Sequence, residues 1–486
     1  MPAGCIVETV QRIHPIEKPL TFPTLMASPP NHRKLSLFDS TAIITGSMIG
    51  SGIFIVSAEI SRQVHYPGML LLAWAVTAVI TILGALSYGE LAAAMPKAGG
   101  QYIYLKEAFG PLYGFLYGWT LFSVIQTGTI AAVGVAFAKF TGVFFPEIGP
   151  ERLVFAMGNF AINTQQLLAV GVIVLLTLYN FREVKSGAFL QNIFTVSKVA
   201  ALILLVVLGF YFGMKGLGDW SNFSPAFPDV MTLATIGVFG AAMTGSLFSA
   251  DAWNNITYTA GEVDRPQRNL PLSLFLGTSI VLVLYFLANM AYIYVLPMEK
   301  IQTADNDRVG TLLFETILGE NGKYFMAAMI MVSTFGCLNG IIFTAGRVYY
   351  AMARDGYFFP SAAKLNKNHV PANSLAIQCL WACLLCFSGT YGDLLNYIMF
   401  AVMLFYVLTI AGLFVLRKKR PEMERPYKAF GYPVLPAIYI LLAALVALDM
   451  LIYQTSASLY GLVIILLGIP VYAFLQSKQQ KNGRLS

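Results

Sequence analysis

Two runs of small and polar residues interrupt stretches that are otherwise apolar: residues 46–54, GSMIGSGIF, and residues 245–254, GSLFSADAWN. In the first, Gly50, Ser51 and Gly52 allow a helix to unwind and expose several N–H groups. The half-helix that resumes near Ile53 aims its positive end into the gap, a setting that suits a carboxylate. In the second, unwinding at Phe248, Ser249 and Asp251 frees carbonyls that, with one near Met48, can accept hydrogen bonds from an ammonium group. Donors on one side and acceptors on the other match a zwitterion, so the chemistry is non-covalent recognition of an α-amino acid. Close helix packing through small residues explains GSMIGSG equally well when it is taken alone. The second interruption tips the balance, because paired breaks at corresponding places mark a transporter that holds its substrate at the bilayer midplane.

Two charged side chains lie within apolar stretches, where ionisable groups are costly and functional by default. Asp251 can neutralise a substrate amine, carry a proton or cap exposed amides. Lys198, deep in AFLQNIFTVSKVAALILL, can bridge carbonyls of the first span to polar groups of the eighth such as Ser333 or Thr334. It would then stand where a coupling cation otherwise sits; a proton carrier and a satisfied structural lysine are the alternatives. Phe248 can gate the pocket or fill the core, and Gln126 can reach the substrate or join helices. Glu90, Glu262 and Arg347 fall at span ends, where solvation is the default and inner-gate ion pairing the alternative. Asp449, late in the eleventh span, reads as interfacial or paired. Cys379, Cys383 and Cys386 share helical spacing, but no histidine or acidic residue joins them in that span, and no metal site is read. His14, His32, His65 and His369 all lie in tails or loops. No constellation for covalent or hydrolytic chemistry results, so an enzyme is disfavoured and no cofactor is implied.

These residues need helices to carry them. Hydrophobic residues make up 57% of the 486 and charged ones 11%, against about 25% charged in soluble domains. The chain is therefore an all-α polytopic membrane protein, long enough for about twelve transmembrane helices. Spans are expected near 38–62, 68–95, 112–142, 166–182, 187–213, 230–259, 270–296, 323–353, 373–389, 393–416, 432–454 and 459–476. The first five (37–213) and the next five (230–416) make a five-plus-five inverted repeat with helices one and six broken, and the last two (432–476) are additional. Residues 1–36 read as a flexible cytoplasmic tail, with Met26 an alternative start, and 477–486 as a second cytoplasmic tail. The loop at 297–322, with Leu312, Leu313, Phe314 and Ile317, suggests a short surface helix. Most of the 31 lysines and arginines fall in alternate loops, which places both termini in the cytoplasm. The net charge of +7 is thus an orientation signal in a bilayer, and no nucleic-acid partner is expected.

These residues resemble the amino acid–polyamine–organocation superfamily, specifically its L-amino-acid transporter branch, and within it the bacterial serine/threonine exchangers. The likeness runs from about Leu35 to the end of the twelfth span. GSMIGSGIF resembles the family's helix-one carboxylate site. PKAGGQY (96–102) and FGCLNG (335–340) resemble its second and eighth helix signatures, and RPYKAFGYPVLP (425–436) its entry to span eleven. The resemblance implies a rocking bundle and obligatory exchange. It also implies that Gly50, Ser51 and Gly52 bind the carboxylate through backbone amides, while carbonyls at Met48, Phe248, Ser249 and Asp251 take the amine. Phe248 would be the gating aromatic, and Lys198 the helix-five lysine of sodium-independent members. Three departures stand out. SADAW follows Phe248 where many members carry AYGGW, and Gln126 adds polarity to helix three. The loop at 143–165 lacks the cysteine that animal members use to bind a glycoprotein subunit, so no disulfide-linked heavy subunit is expected.

The expected function is sodium-independent exchange of neutral L-amino acids across the plasma membrane. A proton-coupled amino-acid symporter and a polyamine or amine antiporter are the rivals. A channel or a transporter-like receptor would use the same breaks.

Overall fold

The computed structural model describes residues 35–157, 160–182, 184–387 and 391–481, and about four-fifths of them are helical. The first expected span is two helices, α1 (Leu37–Met48) and α2 (Gly52–Val64). Ser36 opens α1 with a capping box: its hydroxyl accepts the Asp39 N–H at 3.2 Å, and Asp39 accepts the Ser36 N–H at 2.9 Å. After α3 (Pro67–Ala94) and α4 (Gln101–Phe109), the third span is α5 (Pro111–Thr120) and α6 (Gln126–Thr141), joined by a π-helical turn at Leu121–Ile125. Prolines at the first turns of α3 and α5 fit there because those N–H groups have no intrahelical acceptor. An antiparallel hairpin of β1 (Leu153–Met157) and β2 (Phe160–Asn163) precedes α7 (Thr164–Tyr179) and α8 (Val184–Phe212).

The sixth expected span is α9 (Leu233–Ser249) followed by a 3-10 helix at Trp253–Glu262. Then come α10 (Pro266–Val295), α11 (Met298–Gln302), α12 (Val309–Leu318) and α13 (Glu320–Arg354). The chain ends with α14 (Ala372–Leu385), α15 (Tyr391–Lys419), α16 (Val434–Tyr453) and α17 (Thr455–Lys481). Among the described residues, ten segments are long and apolar enough to cross a membrane, and α7 and α14 are shorter apolar helices. The protein is an all-α polytopic membrane protein.

One of two local expectations changes. Leu35 and Ser36, read as the end of a tail, are fixed: Leu35 is buried, donates to the Glu262 carbonyl at 3.0 Å and accepts the Asp264 N–H at 2.8 Å. The remainder of that tail, residues 1–34, and 482–486 lie outside the described residues. The short helix expected in the loop at 297–322 is α12: Val309, Leu313 and Phe314 are fully buried where it meets α13 and α2, while Glu315 and Leu318 on its other side stay exposed. Burial of an apolar stripe outweighs the charge in the flanking loop.

At the centre, α1 packs against α10, α8 and α13, while α2 packs on α9 and α10 runs along α3. Hydrocarbon offers no hydrophobic gain for helix association, so polar contacts and close approach carry it. Ser57 donates to Asn289 at 2.7 Å, Asn180 to Asn339 at 2.8 Å, and the Thr77 and Ser246 hydroxyls meet at 2.8 Å. Asp449 Oδ2 is buried with no hydrogen-bond partner among the described residues; a Cβ on Gly240 of α9 would stand 2.4 Å from its carboxylate.

Glu90, at the end of α3, is not solvated. It is 1% exposed and accepts from Arg417 at 2.5 Å, Arg425 at 3.3 Å and the Ala429 N–H at 2.7 Å. This cluster ties α3 to the end of α15 and to the segment before α16. Glu90→Ala leaves two guanidinium groups facing each other without their anion, and a cost of about 3–5 kcal/mol is expected. Thermal unfolding in detergent measures it, with Glu90→Gln retaining more of the stability through its remaining acceptor.

Candidate functional site

The first break begins where α1 stops. Ile49 leaves the helical region at φ −74°, ψ 89°, and α2 resumes at Gly52. Within a bilayer the orphan carbonyls at the end of α1 need partners, and the protein supplies nearly a complete set. Lys198 Nζ donates to Gly46 O at 2.5 Å and to Ile49 O at 3.0 Å. Cys337 Sγ contacts Ser47 O at 3.0 Å, Tyr285 donates to Met48 O at 2.8 Å, and Ser333 donates to Ile49 O at 3.2 Å and Gly50 O at 3.4 Å. Lys198 is fully buried. An ammonium at a helix C-terminus also meets the negative end of its dipole. Thr334 takes no part, since its hydroxyl bonds back within α13 to Ile330 and Met331.

Close packing seats this lysine. A Cβ on Gly336 of α13 would lie 2.4 Å from Phe194 Cβ and 3.3 Å from Lys198 Cε. The small residue in FGCLNG therefore makes room for the helix that carries Lys198. Across the gap, the first turn of α2 has no preceding turn to receive the N–H groups of Gly52 and Ile53.

The second break lies opposite. Ser249 ends α9, and Ala252 adopts a left-handed φ of 65° before the 3-10 helix starts at Trp253. A non-glycine residue rarely takes this conformation, so the kink is held by its surroundings. Asp251 Oδ1 accepts the Tyr406 hydroxyl at 2.5 Å, which ties the break to α15. The Ser249 hydroxyl returns to Gly245 O at 2.8 Å.

All seven residues expected to hold substrate come together. Met48, Gly50, Ser51 and Gly52 from the first break line one cavity with Phe248, Ser249 and Asp251 from the second. Its free space is about 20 Å³, enough for roughly one water molecule. The conformation is therefore closed around the site. Two of the expected acceptors are engaged in it: Met48 O holds the Gly50 N–H and the Tyr285 hydroxyl, and Phe248 O holds the Ala250 and Asp251 N–H groups. Lys198 does not line the cavity; it stands behind α1.

A second, more polar lobe adjoins the first through Thr129, Asp251, Ala252 and Ile341. Gln126 lines this lobe, just after the π-helical turn, and its amide donates to Ile341 O at 3.3 Å. π-Turns inside α-helices recur at functional sites because the extra residue re-aims the side chains that follow. Asn254 donates to Gln101 at 3.0 Å, Gln101 donates to Thr409 at 2.9 Å, and the Tyr117 and Tyr258 hydroxyls meet at 2.6 Å. Sequence reasoning missed Tyr406, Tyr285, Gln101 and Asn254. Gln101 and Asn254 fall inside PKAGGQY and GSLFSADAWN without having been singled out there, whereas nothing local marks Tyr285 and Tyr406.

Charge pairs close both ends. Beside Glu90, Arg347 meets Glu262 at 3.1 Å, while Lys106 and Tyr102 each reach Asp355 at 2.6 Å. Burial and the Asp355 carboxylate hold the Tyr102 phenol well above its ordinary range, so it remains a donor. On the opposite face, Asp307 meets Arg62 of α2 at 2.9 Å and Lys139 of α6 at 3.4 Å.

Two half-helices broken over one small cavity, inside a polytopic helical membrane protein, are the arrangement expected of a transporter, and the matching family and relatives are transporters, not enzymes. The Amino acid permease family matches residues 35–475, and the chain belongs to that family, in the L-amino-acid branch of the amino acid–polyamine–organocation superfamily. It is 31% identical to the b(0,+)-type amino acid transporter 1 of Mus musculus, over 90% of this chain and 87% of that one. It is 32% identical to the Large neutral amino acids transporter small subunit 2 of Homo sapiens, over 90% of this chain and 80% of that one.

Gly52 sets the spacing of the two breaks. A Cβ there would stand 2.1 Å from Ser249 Oγ, 2.8 Å from its Cβ and 3.1 Å from its Cα. Gly52→Ala must push α2 from α9, and a loss of about 1–3 kcal/mol of stability is expected, with loss of substrate binding. Gly171→Ala, where nothing lies within 4 Å, is the control and is expected to stay neutral. Thermal unfolding and ligand-induced stabilisation read the two effects.

Proposed function

We propose that this protein carries neutral L-amino acids across the plasma membrane by sodium-independent exchange. The observation that carries the reading is the single cavity between the two breaks, with helix-start amides on one wall and the Asp251 carboxylate on the other. Gly50, Ser51 and Gly52 would bind the substrate carboxylate through N–H groups, as helix N-termini bind anions. Ser249 and Asp251 would take the amine, joined by the Met48 and Phe248 carbonyls once their present donors move. Phe248, which lines the cavity and is buried, would gate it.

Lys198 supports sodium independence. Its ammonium already occupies carbonyls that a coupling cation would need. Because it joins α8 to the end of α1, it would also switch contacts when α1 moves. The names of the relatives, large neutral amino acids transporter and b(0,+)-type amino acid transporter, fit an amino-acid substrate. The two breaks would belong to a five-plus-five inverted repeat that rocks between outward and inward states, and the lysine and arginine distribution supports cytoplasmic termini. No cysteine falls in the loop at 143–165, which supports a chain without a disulfide-linked partner there.

A second reading rests on Asp251. Its carboxylate opens on the polar lobe and is bonded to a neutral tyrosine, an arrangement that would also receive a cationic group. Amine exchange or proton-coupled symport would use it.

Purified protein in liposomes separates these. In sodium-free buffer, labelled L-serine is expected to enter vesicles preloaded with L-amino acid at least about tenfold faster than empty ones, roughly 1.4 kcal/mol in barrier. Lys198→Ala is expected to bind serine yet turn over about tenfold more slowly. Uptake into empty vesicles driven by an inward proton gradient overturns exchange. Competition by an amine lacking a carboxylate, abolished in Asp251→Asn, favours the second reading.

A further inference from the structure

The face that carries the Glu90 cluster also carries a groove of about 730 Å³ that the substrate path does not use. Its apolar walls are Leu86 of α3, Leu272 and Phe275 of α10, and Phe430 from the segment before α16. Phe275 is 41% and Phe430 67% exposed, so the walls open outward, away from the core. The polar end is formed by Gln267 and Arg268, both exposed in the first turn of α10. Arg268 belongs to no ion pair among the described residues, whereas Arg347, Arg417 and Arg425 on the same face all have carboxylate partners. Pro271, which lines the groove, has no N–H to donate to the Gln267 carbonyl one turn back. One end of the groove therefore offers a cation without an ion-pair partner among the described residues and a side-chain amide, and the other offers aromatic and aliphatic walls.

We propose that this groove holds one anionic phospholipid. Its phosphate rests on Arg268 and Gln267, where the positive end of α10 adds attraction, and an acyl chain lies over Leu272, Phe275 and Phe430. The site matters because of what stands behind it. Tyr427 also lines the groove, and a Cβ on Gly89 would be 2.9 Å from its ring and 3.2 Å from Pro271. The next residue, Glu90, takes the Ala429 N–H and the guanidinium of Arg425. A lipid bridging Arg268 and Phe430 thus clamps α10 to the segment that latches onto Glu90. Bound lipid holds that end of the transporter closed.

Native mass spectrometry of the intact protein, equilibrated with phosphatidylglycerol against phosphatidylcholine in mixed micelles, reads retention without any transport. The wild type is expected to keep one phosphatidylglycerol in preference to phosphatidylcholine. Arg268→Ala is expected to weaken that retention about fivefold, the effect of removing one basic residue at a membrane surface. Arg265→Ala, three residues away and outside the groove, removes the same charge and is expected to retain the lipid. Leu272→Trp fills the groove without changing charge and is expected to lose it. Equal retention by wild type and Arg268→Ala overturns the proposal, as does equal loss in Arg265→Ala, which would mean diffuse attraction only. Arg268 is a surface residue, so its variant stays folded even if Leu272→Trp does not. Because the readout ignores substrate, its failure is separate from failure of the exchange reading.

Discussion

A helix can be broken inside a bilayer only where the backbone groups it releases find other partners or line a cavity that a ligand or water can enter. That constraint organises this structure. Ending α1 at Met48 releases a row of carbonyls, and the side chains that receive them come from three other helices: Lys198 of α8, Tyr285 of α10, and Ser333 and Cys337 of α13. Each of those helices must lie close, and the small residues around the site permit it. Gly336 admits the α8 stem, and Gly52 admits Ser249. The binding cavity is what remains between the two ends once these obligations are met. Its walls include the backbone of both breaks and the Asp251 carboxylate, which suits a ligand with its own carboxylate and amine.

The charges complete the same logic at the two faces. Ion pairs around Glu90, Glu262 and Asp355 hold one end, and Asp307 with Arg62 and Lys139 holds the other. Both ends are paired at once, in keeping with the small free volume at the centre. The pairs differ in depth. Glu90 is almost wholly buried, while Arg62 is 43% exposed, so the Asp307 end is the more readily solvated and screened.

Much of the site was legible in the sequence, because a break in an apolar helix is written locally in residue types. GSMIGSG and the run around Asp251 mark where the backbone opens, and Lys198 is conspicuous in a hydrophobic span. Span positions also follow from composition, and the helix ends fall within a few residues of expectation in most cases. What was hidden is relational. Tyr406 lies 155 residues from Asp251 and Tyr285 lies 237 from Met48, so their meeting depends on helix rotation, which hydropathy does not fix. Glu90 and Arg347 looked like solvated span ends for the same reason: their partners sit in distant segments. The amphipathic turn of α12 was visible, but whether its apolar side met lipid, solvent or α13 was not.

The 3-10 form of Trp253–Glu262 has a geometric consequence. A 3-10 helix advances about 2.0 Å per residue where an α-helix advances about 1.5 Å, so Trp253–Tyr258, the stretch before a kink at Thr259, covers about 12 Å instead of about 9 Å. The interruption at Ala252 would otherwise shorten the reach of this span. The stretched winding recovers part of that length with no added residues, and at its end Glu262 is held by both Arg347 and Leu35. A span can thus be cut in the middle and still deliver its far end to the right level of the membrane.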